Sequence, residues 1–263
     1  MLELNYKTFG QGEPLVILHG LFGMLDNWQG VARKLADDYS VYLVDQRNHG
    51  RSPHHPAMDY PCMAEDLLYF MEAQWMFKAH LIGHSMGGKT AMQFALSHPH
   101  MVDKLVVVDI APKPYPGGHQ EIFDALLDID LAQIQERNEV YDLLKHRIDD
   151  YGVLQFLLKN LSRTKKGGYE WKMNLPALHQ NYENVLAALE GDEPFEGEAL
   201  FIRGDKSSYI REDDFSLILS LFPNARIETV HGAGHWVHAE RPEELLKLVQ
   251  GFLAGKALSP QRY

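Results

Sequence analysis

Short apolar runs recur along this chain with amphipathic stretches between them, and that alternation restricts the fold more than any other feature. Candidate strands cover residues 2–9, 15–19, 41–45, 80–83, 105–109, 199–203 and 226–230, and helical periodicity covers 28–36, 62–74, 86–97, 213–221 and 243–253. Such a succession predicts βα units around a mostly parallel sheet with helices on both faces. The runs "LVIL", "KLVVVD" and "ALFIRG" are apolar almost throughout, as strands covered on both faces must be. At 263 residues the chain suits one large domain, or one domain carrying an insertion.

The alternation lapses between Asp109 and Ala199, where only helical patterns stand out. "YENVLAALE" puts Tyr182, Val185, Leu186 and Leu189 on one stripe, and "EVYDLLKHRI" does the same with Val140, Leu144 and Ile148. "APKPYPGG" opens the interval and "GDEPFEGE" closes it. The expectation is a helical cap over residues 112–190, inserted into a core made of 1–111 and 191–263. It would cover the strand ends, where open α/β sheets bind ligands.

Composition narrows the partners. A formal charge of −11 repels phosphates, which argues against nucleic acid or an anionic membrane as the main partner. Cys62 is the single cysteine, so neither an internal disulfide nor a cysteine-based metal site can form. The opening "MLELNYKTFG" lacks the apolar core of a signal peptide, and no apolar run approaches the ~20 residues of a membrane span. A soluble, cytoplasmic protein without stable membrane association is expected. No motif encodes the oligomeric state.

The stretch "LIGHSMGGKT" admits two readings. Gly83 to Thr90 fits the phosphate-cradling P-loop letter for letter, and Gly83-x-Ser85-x-Gly87 fits the nucleophile elbow of a serine hydrolase. The P-loop reading would make Asp109 a Walker B acid, yet Asp109 ends the very next strand, and the remaining motifs would stay unused. The elbow reading recruits them. Gly83 and Gly87 suit a tight strand-to-helix turn, Ser85 projects above the sheet, and the Met86 amide faces a developing oxyanion. Upstream, "LVILHGLFG" ends a strand in a glycine-rich turn whose Leu21 amide is assigned as the second oxyanion donor.

"ETVHGAGHWVHAERP" places His235 after the last strand and before the last helix, where an imidazole can accept the Ser85 proton. His231 and His238 are its near rivals among 14 histidines, while His19, His49 and His84 suit the support of turns. Two strand ends offer an acid, Asp109 in "VVVDIAP" and Asp205 in "FIRGDKSSYI". The usual acid position, three residues beyond Gly204, holds Ser207. Asp109 is preferred, with Ser207 adding a hydrogen bond. Asp45, Arg47 and Ser52 in "DQRNHGRSP" are expected to tie down their loop, and Lys89 to pack on or cap the elbow helix. The pairs His54–His55 and His98–His100 lack carboxylates at metal spacing. No metal and no cofactor are expected.

Taken in order, "HGLFG", "LDNW", "DQRNHGRSP", "YPCMAEDL", "GHSMGGK", "VVVDIAP", "QFLLKN" and "GAGHWVHAERP" resemble α/β-hydrolases of the YbfF-type bacterial esterase group, which is related to the abhydrolase domain-containing eleven proteins. The resemblance covers nearly the whole length. It implies an α/β-hydrolase fold and a triad in which Ser85, Asp109 and His235 are joined by Ser207. It also implies oxyanion donors at Leu21 and Met86, and a small cap between the sixth and seventh strands shaping an acyl crevice. "RGDKSSYI" departs from the group's more usual Gly-Gly-Asn-Ser pattern and sets Asp205 near Ser207. The implied activity is hydrolysis of short- to medium-chain carboxylesters, small molecules, with acyl-CoA thioesters sometimes proposed. The alternatives are a serine hydrolase of another bond (carbon–carbon or peracid) and a hydrolase-fold receptor that binds a small ligand without turnover.

Overall fold

A computed structural model describes residues 1–189 and 191–256. The expected cap boundary at 190 and the core's last stretch, 257–263, lie outside the described residues. Seven strands form the main sheet: β1 (Tyr6–Phe9), β2 (Glu13–Leu18), β3 (Tyr39–Val44), β4 (Ala79–His84), β5 (Val102–Val108), and then, after an insertion, two more. The insertion holds two further strands, β6 (Leu161–Arg163) and β7 (Tyr169–Trp171), so the sheet resumes with β8 (Glu198–Gly204) and β9 (Ala225–Val230). The order across the sheet is β1-β3-β2-β4-β5-β8-β9, with β1 antiparallel at one edge and every other pairing parallel.

Both faces are covered, which explains the unbroken apolar runs. All six residues of β4 are buried, as are the last four of β5. On one face lie α1 (Gln29–Leu35) and the last helix, Pro242–Leu253. The latter buries Leu245, Leu246, Val249, Phe252 and Leu253, a stripe at helical spacing. On the other lie α2 (Tyr60–Ala73) and α3 (Met86–Ser97). Every residue from Met86 to Ala95 is buried, because α3 is enclosed by the sheet, α2 and the insertion.

Among the described residues the insertion between β5 and β8 carries five helices: α4 (Gln120–Leu127), α5 (Arg137–Leu144), α6 (Tyr151–Leu158), α7 (Leu175–Gln180) and α8 (Tyr182–Leu186). The expectation of helices alone is corrected here. β6 and β7 pair as an antiparallel hairpin, Leu161 opposite Trp171, around a turn with Gly167 and Gly168 at φ of +87° and +81°. Strands of three residues are too short to show a period of two. The stripe ending at Leu189 is also only part helix: α8 stops at Leu186, and Ala187 turns extended with ψ 153°. Leu189 stays buried, its amide bonded to the Pro112 carbonyl at 3.0 Å.

The strand expected from residue 2 starts instead at Tyr6. Side chains take the upstream amides: Leu2 N donates to Asp66 Oδ1 and Asn5 N to Ser52 Oγ, each at 2.8 Å. The remaining helices of the core are α9 (Phe215–Leu221), α10 (Val237–Glu240) and α11 (Pro242–Leu253). Among the described residues no helix is long and apolar enough to cross a membrane.

Candidate active site

Ser85 links β4 to α3 with φ 53° and ψ −121°, a backbone state that a non-glycine residue adopts only when its surroundings impose it. Its neighbours impose it. A Cβ on Gly83 would strike the backbone of Gly87 and Gly88, and one on Gly87 would strike the carbonyls of Leu18 and His19. The Ser85 amide donates to the Val108 carbonyl at 3.1 Å, fixing the turn against the end of β5.

From that turn a hydrogen-bonded chain runs inward. Ser85 Oγ lies 3.0 Å from His235 Nε2, and His235 Nδ1 lies 2.7 Å from Asp109 Oδ2. Asp109 is fully buried just past the end of β5, at φ 53°. Its carboxylate also accepts the Gly204 amide at 3.1 Å and the Ser207 hydroxyl. The Asp109 amide in turn donates to the Ile202 carbonyl of β8 at 2.8 Å. An imidazole between a hydroxyl and a buried carboxylate can take the hydroxyl proton while the carboxylate holds the ring's tautomer and balances the imidazolium.

The rivals stand elsewhere. The His231 side chain is 87% exposed and pairs with Asp205 Oδ2 at 3.1 Å. Asp205 also accepts the Gly232 amide at 2.7 Å. His238 stacks on Trp28, with centroids 4.4 Å apart and planes 13° apart. Asp205 and Asp109 therefore belong to separate ion pairs, one on the surface and one buried.

Three histidines brace the site in neutral form. Burial lowers the pKa of His84 well below the usual imidazole value, and its Nε2 donates to the His235 carbonyl at 2.8 Å. Burial brings His19 down to about 4 and His49 to about 3. His19 Nε2 accepts the Gln46 amide at 3.0 Å and His49 Nε2 accepts the Phe22 amide at 3.2 Å. Each ring must then carry its proton on Nδ1, donating to Gly20 O and Arg47 O. They hold the "HGLFG" loop, which is also fixed by Asn160 Nδ2 on the Phe22 carbonyl at 2.7 Å.

That loop lies directly against the elbow, since a Cβ on Gly20 would meet His84 Nδ1 at 3.0 Å and Ser85 Cβ at 3.2 Å. Leu21, Ser85 and Met86 line one cavity. Among the described residues, no group accepts the Leu21 amide.

The cavity has two lobes that meet at Leu21, Ser85, His119 and Tyr209. The larger, about 380 Å³, is walled by Tyr60, Ile110, Tyr115, Tyr182, Val185 and Leu186. The smaller, about 260 Å³, is walled by Trp28, Ile122, Val153, Phe156 and Trp236, and His235 borders it. Most of these side chains come from the insertion.

Sequence reasoning did not find Tyr209, whose ring stacks on His235 at 3.8 Å with planes 17° apart. Its amide donates to Ser207 Oγ at 3.2 Å and its carbonyl accepts the Tyr115 hydroxyl at 2.6 Å. Its one signal was proximity to Ser207 in "DKSSYI". His119, bonded to the Tyr182 hydroxyl at 2.6 Å, had no signal at all.

The "DQRNHGRSP" loop makes structural contacts, as expected. Asp45 accepts the amides of Leu25 and Arg51 at 2.8 and 2.9 Å, Ser52 Oγ donates to the Asp45 carbonyl at 2.5 Å, and Arg47 pairs with buried Asp66 at 2.7 Å. Glu13, His80 and Asp103 offer ligand atoms within 4.8 Å of one another. They sit at the N-terminal ends of β2, β4 and β5, the opposite end of the sheet from Ser85.

Comparison with known proteins agrees with this architecture. The model of the alpha/beta hydrolase fold family matches residues 13–242. Esterase YbfF of Escherichia coli (strain K12) is 41% identical over 241 residues, covering 91% of this chain and 92% of that protein. The sn-1-specific diacylglycerol lipase ABHD11 of Danio rerio is 38% identical over 263 residues, covering 96% and 83%. A solved structure described as a marine microorganism esterase superposes with a TM-score of 0.94 at 44% identity, covering 96% of this chain and all of that one. With sheet, elbow and relatives in agreement over nearly its whole length, the chain belongs to the α/β-hydrolase fold family, in the esterase/lipase-type group that includes YbfF.

Proposed function

We propose that this chain is a serine carboxylesterase that cleaves esters of short- to medium-chain acids through an acyl-enzyme. Acyl-CoA thioesters are candidates for the same site. The observation that carries the reading is the continuous chain from Ser85 Oγ through His235 to Asp109, opening on a largely apolar crevice.

In the first half of the reaction His235 Nε2 takes the Ser85 proton as Oγ attacks the ester carbonyl. The carbonyl oxygen becomes an oxyanion facing the amides of Leu21 and Met86, and losing one such donor typically costs about 10²–10³ in rate. The tetrahedral intermediate collapses as His235 passes the proton to the departing alcohol or thiol. Water, deprotonated by the same imidazole, then frees the acid. Asp109 fixes the ring, and Ser207 fixes Asp109.

His235 borders the smaller lobe and not the larger. The leaving group, which must receive the imidazole proton, therefore departs through the smaller lobe, and the acyl chain occupies the larger one. Residues 112–190 act as the cap that walls both. Similarity to the sn-1-specific diacylglycerol lipase of Danio rerio adds diacylglycerol to the esters worth assaying.

A fluorophosphonate probe is expected to label the wild type and not Ser85→Ala. The wild type should turn over p-nitrophenyl esters, with acyl length and acyl-CoAs profiled on the same preparation. A wild type that is neither labelled nor active on any ester would turn the reading toward a ligand receptor.

A further inference from the structure

Lys89 is the lysine of the P-loop spelling, and the reaction proposed above does not use it. It lies one helical turn after Ser85 in α3 and is 1% exposed, its amide bonded to the Ser85 carbonyl at 3.0 Å. Its ammonium meets carbonyls and ring faces. Nζ donates to Ala187 O at 2.5 Å and to Leu186 O at 3.4 Å, and stands 4.9 Å from the Tyr115 ring and 5.4 Å from the Tyr60 ring. Burial draws its pKa down to about 7.

Among the described residues no carboxylate pairs with this ammonium, and a buried charge without one opposes folding, so its presence needs a compensating role. The carbonyls it reaches suggest one. They lie where α8 ends, and the last carbonyls of a helix have no partner within it. Other groups hold the same segment. The Tyr60 hydroxyl donates to Val185 O at 2.6 Å, the Tyr115 amide to Leu186 O at 2.9 Å, and the Leu189 amide to Pro112 O at 3.0 Å. Val185 and Leu186 wall the larger lobe. Lys89 is the stitch that starts on the helix bearing Ser85.

We propose that Lys89 is a positioning residue that clamps the Val185–Leu186 wall to the nucleophile's helix and so sets which acyl lengths the larger lobe accepts. The kinetic part of this inference rests on the esterase reading; the clamp itself does not.

The test uses the full chain, as wild type, Lys89→Met and Tyr60→Phe, with p-nitrophenyl acetate, butyrate and octanoate, and with amide hydrogen exchange. Lys89→Met is expected to keep kcat on the acetate within about twofold while KM for the octanoate rises about tenfold, the pattern of lost binding rather than lost chemistry. The amides of Tyr115 and Leu189 should exchange about tenfold faster in that variant, while the Asp109 amide keeps its protection. Tyr60→Phe should give the same signature at smaller amplitude.

A fall in kcat that is equal at every chain length, with KM unchanged, would put Lys89's role at the elbow and overturn the proposal. So would unchanged exchange at Tyr115 and Leu189 in folded Lys89→Met. If Lys89→Met does not fold, wild-type KM and exchange in Tyr60→Phe overturn it. A wild type inert toward every ester counts against the esterase reading alone, and exchange then decides the clamp.

Discussion

Asp109 combines a left-handed backbone with a carboxylate that has no exposed surface and takes hydrogen bonds from Gly204, Ser207 and His235. Only an anion is suited to so many donors, and only there does it face the imidazole. Asp109→Asn is therefore expected to lower kcat by about 10⁴-fold, as amide replacement does in such triads, with Asp205→Asn within a few-fold of wild type. Rates on p-nitrophenyl butyrate decide it, and equal, mild losses in both variants would sink the assignment. Ser207→Ala removes one donor from a buried charge and should cost about 10- to 100-fold. At this scale the sequence was legible where a motif dictates a turn: Ser85 is fixed by two glycines and His235 by its place after the last strand. The acid was less so, because β5 and β8 are each followed directly by an aspartate, and only the fold turns Asp109 toward His235 and Asp205 toward His231. Tyr209 was out of reach, since stacking of one loop on another leaves no local pattern.

Elements show the same division. Strands buried on both faces announce themselves through apolar runs, and β2 to β5, β8 and β9 fall within a few residues of expectation. The β6–β7 hairpin and the loop from Leu2 to Asn5 do not, because their amides are satisfied by three-residue pairing or by the Asp66 and Ser52 side chains. Long-range side-chain links of that kind join elements that periodicity treats separately. One of them is the buried Arg47–Asp66 pair, 4% and 1% exposed, which ties the loop after β3 to α2. Arg47 also donates to the carbonyls of Ala57 and Cys62. Arg47→Met leaves Asp66 buried and uncompensated, at a cost of about 3–5 kcal/mol, which should lower Tm by about 10 °C. Adding Asp66→Leu should recover part of that loss, because a buried pair replaced by apolar groups is often neutral or better. A thermal melt in which the single variant matches wild type would show that the loop does not depend on this pair.

The core is two apolar layers around the seven-stranded sheet, and the molecule also encloses imidazoles that stay uncharged. His19, His49 and His84 are at most 3% exposed, with burial lowering each pKa, to about 4 for His19 and about 3 for His49. His119 and His238 are likewise lowered by burial, to about 4 and about 3. The sign follows from proton binding. Between pH 6.5 and about 4 the unfolded chain takes up protons that the folded chain refuses, so stability rises with pH across that window and is lost as pH falls below 6.5. Each imidazole kept neutral then weakens folding by about 2 kcal/mol at pH 5. Three of them approach the about 5–15 kcal/mol by which a domain is usually stable. Acid unfolding is therefore expected near pH 5, above the range where ordinary carboxylates take up protons. His49→Gln keeps an acceptor for the Phe22 amide and removes one of these sites, so it should flatten the slope of stability against pH between 6.5 and 5 by about one proton. Denaturant melts followed by circular dichroism at pH 7, 6 and 5 measure both slopes. A wild-type stability that holds level from pH 7 to 5 and falls only below about 4.5 would assign acid unfolding to the carboxylates instead.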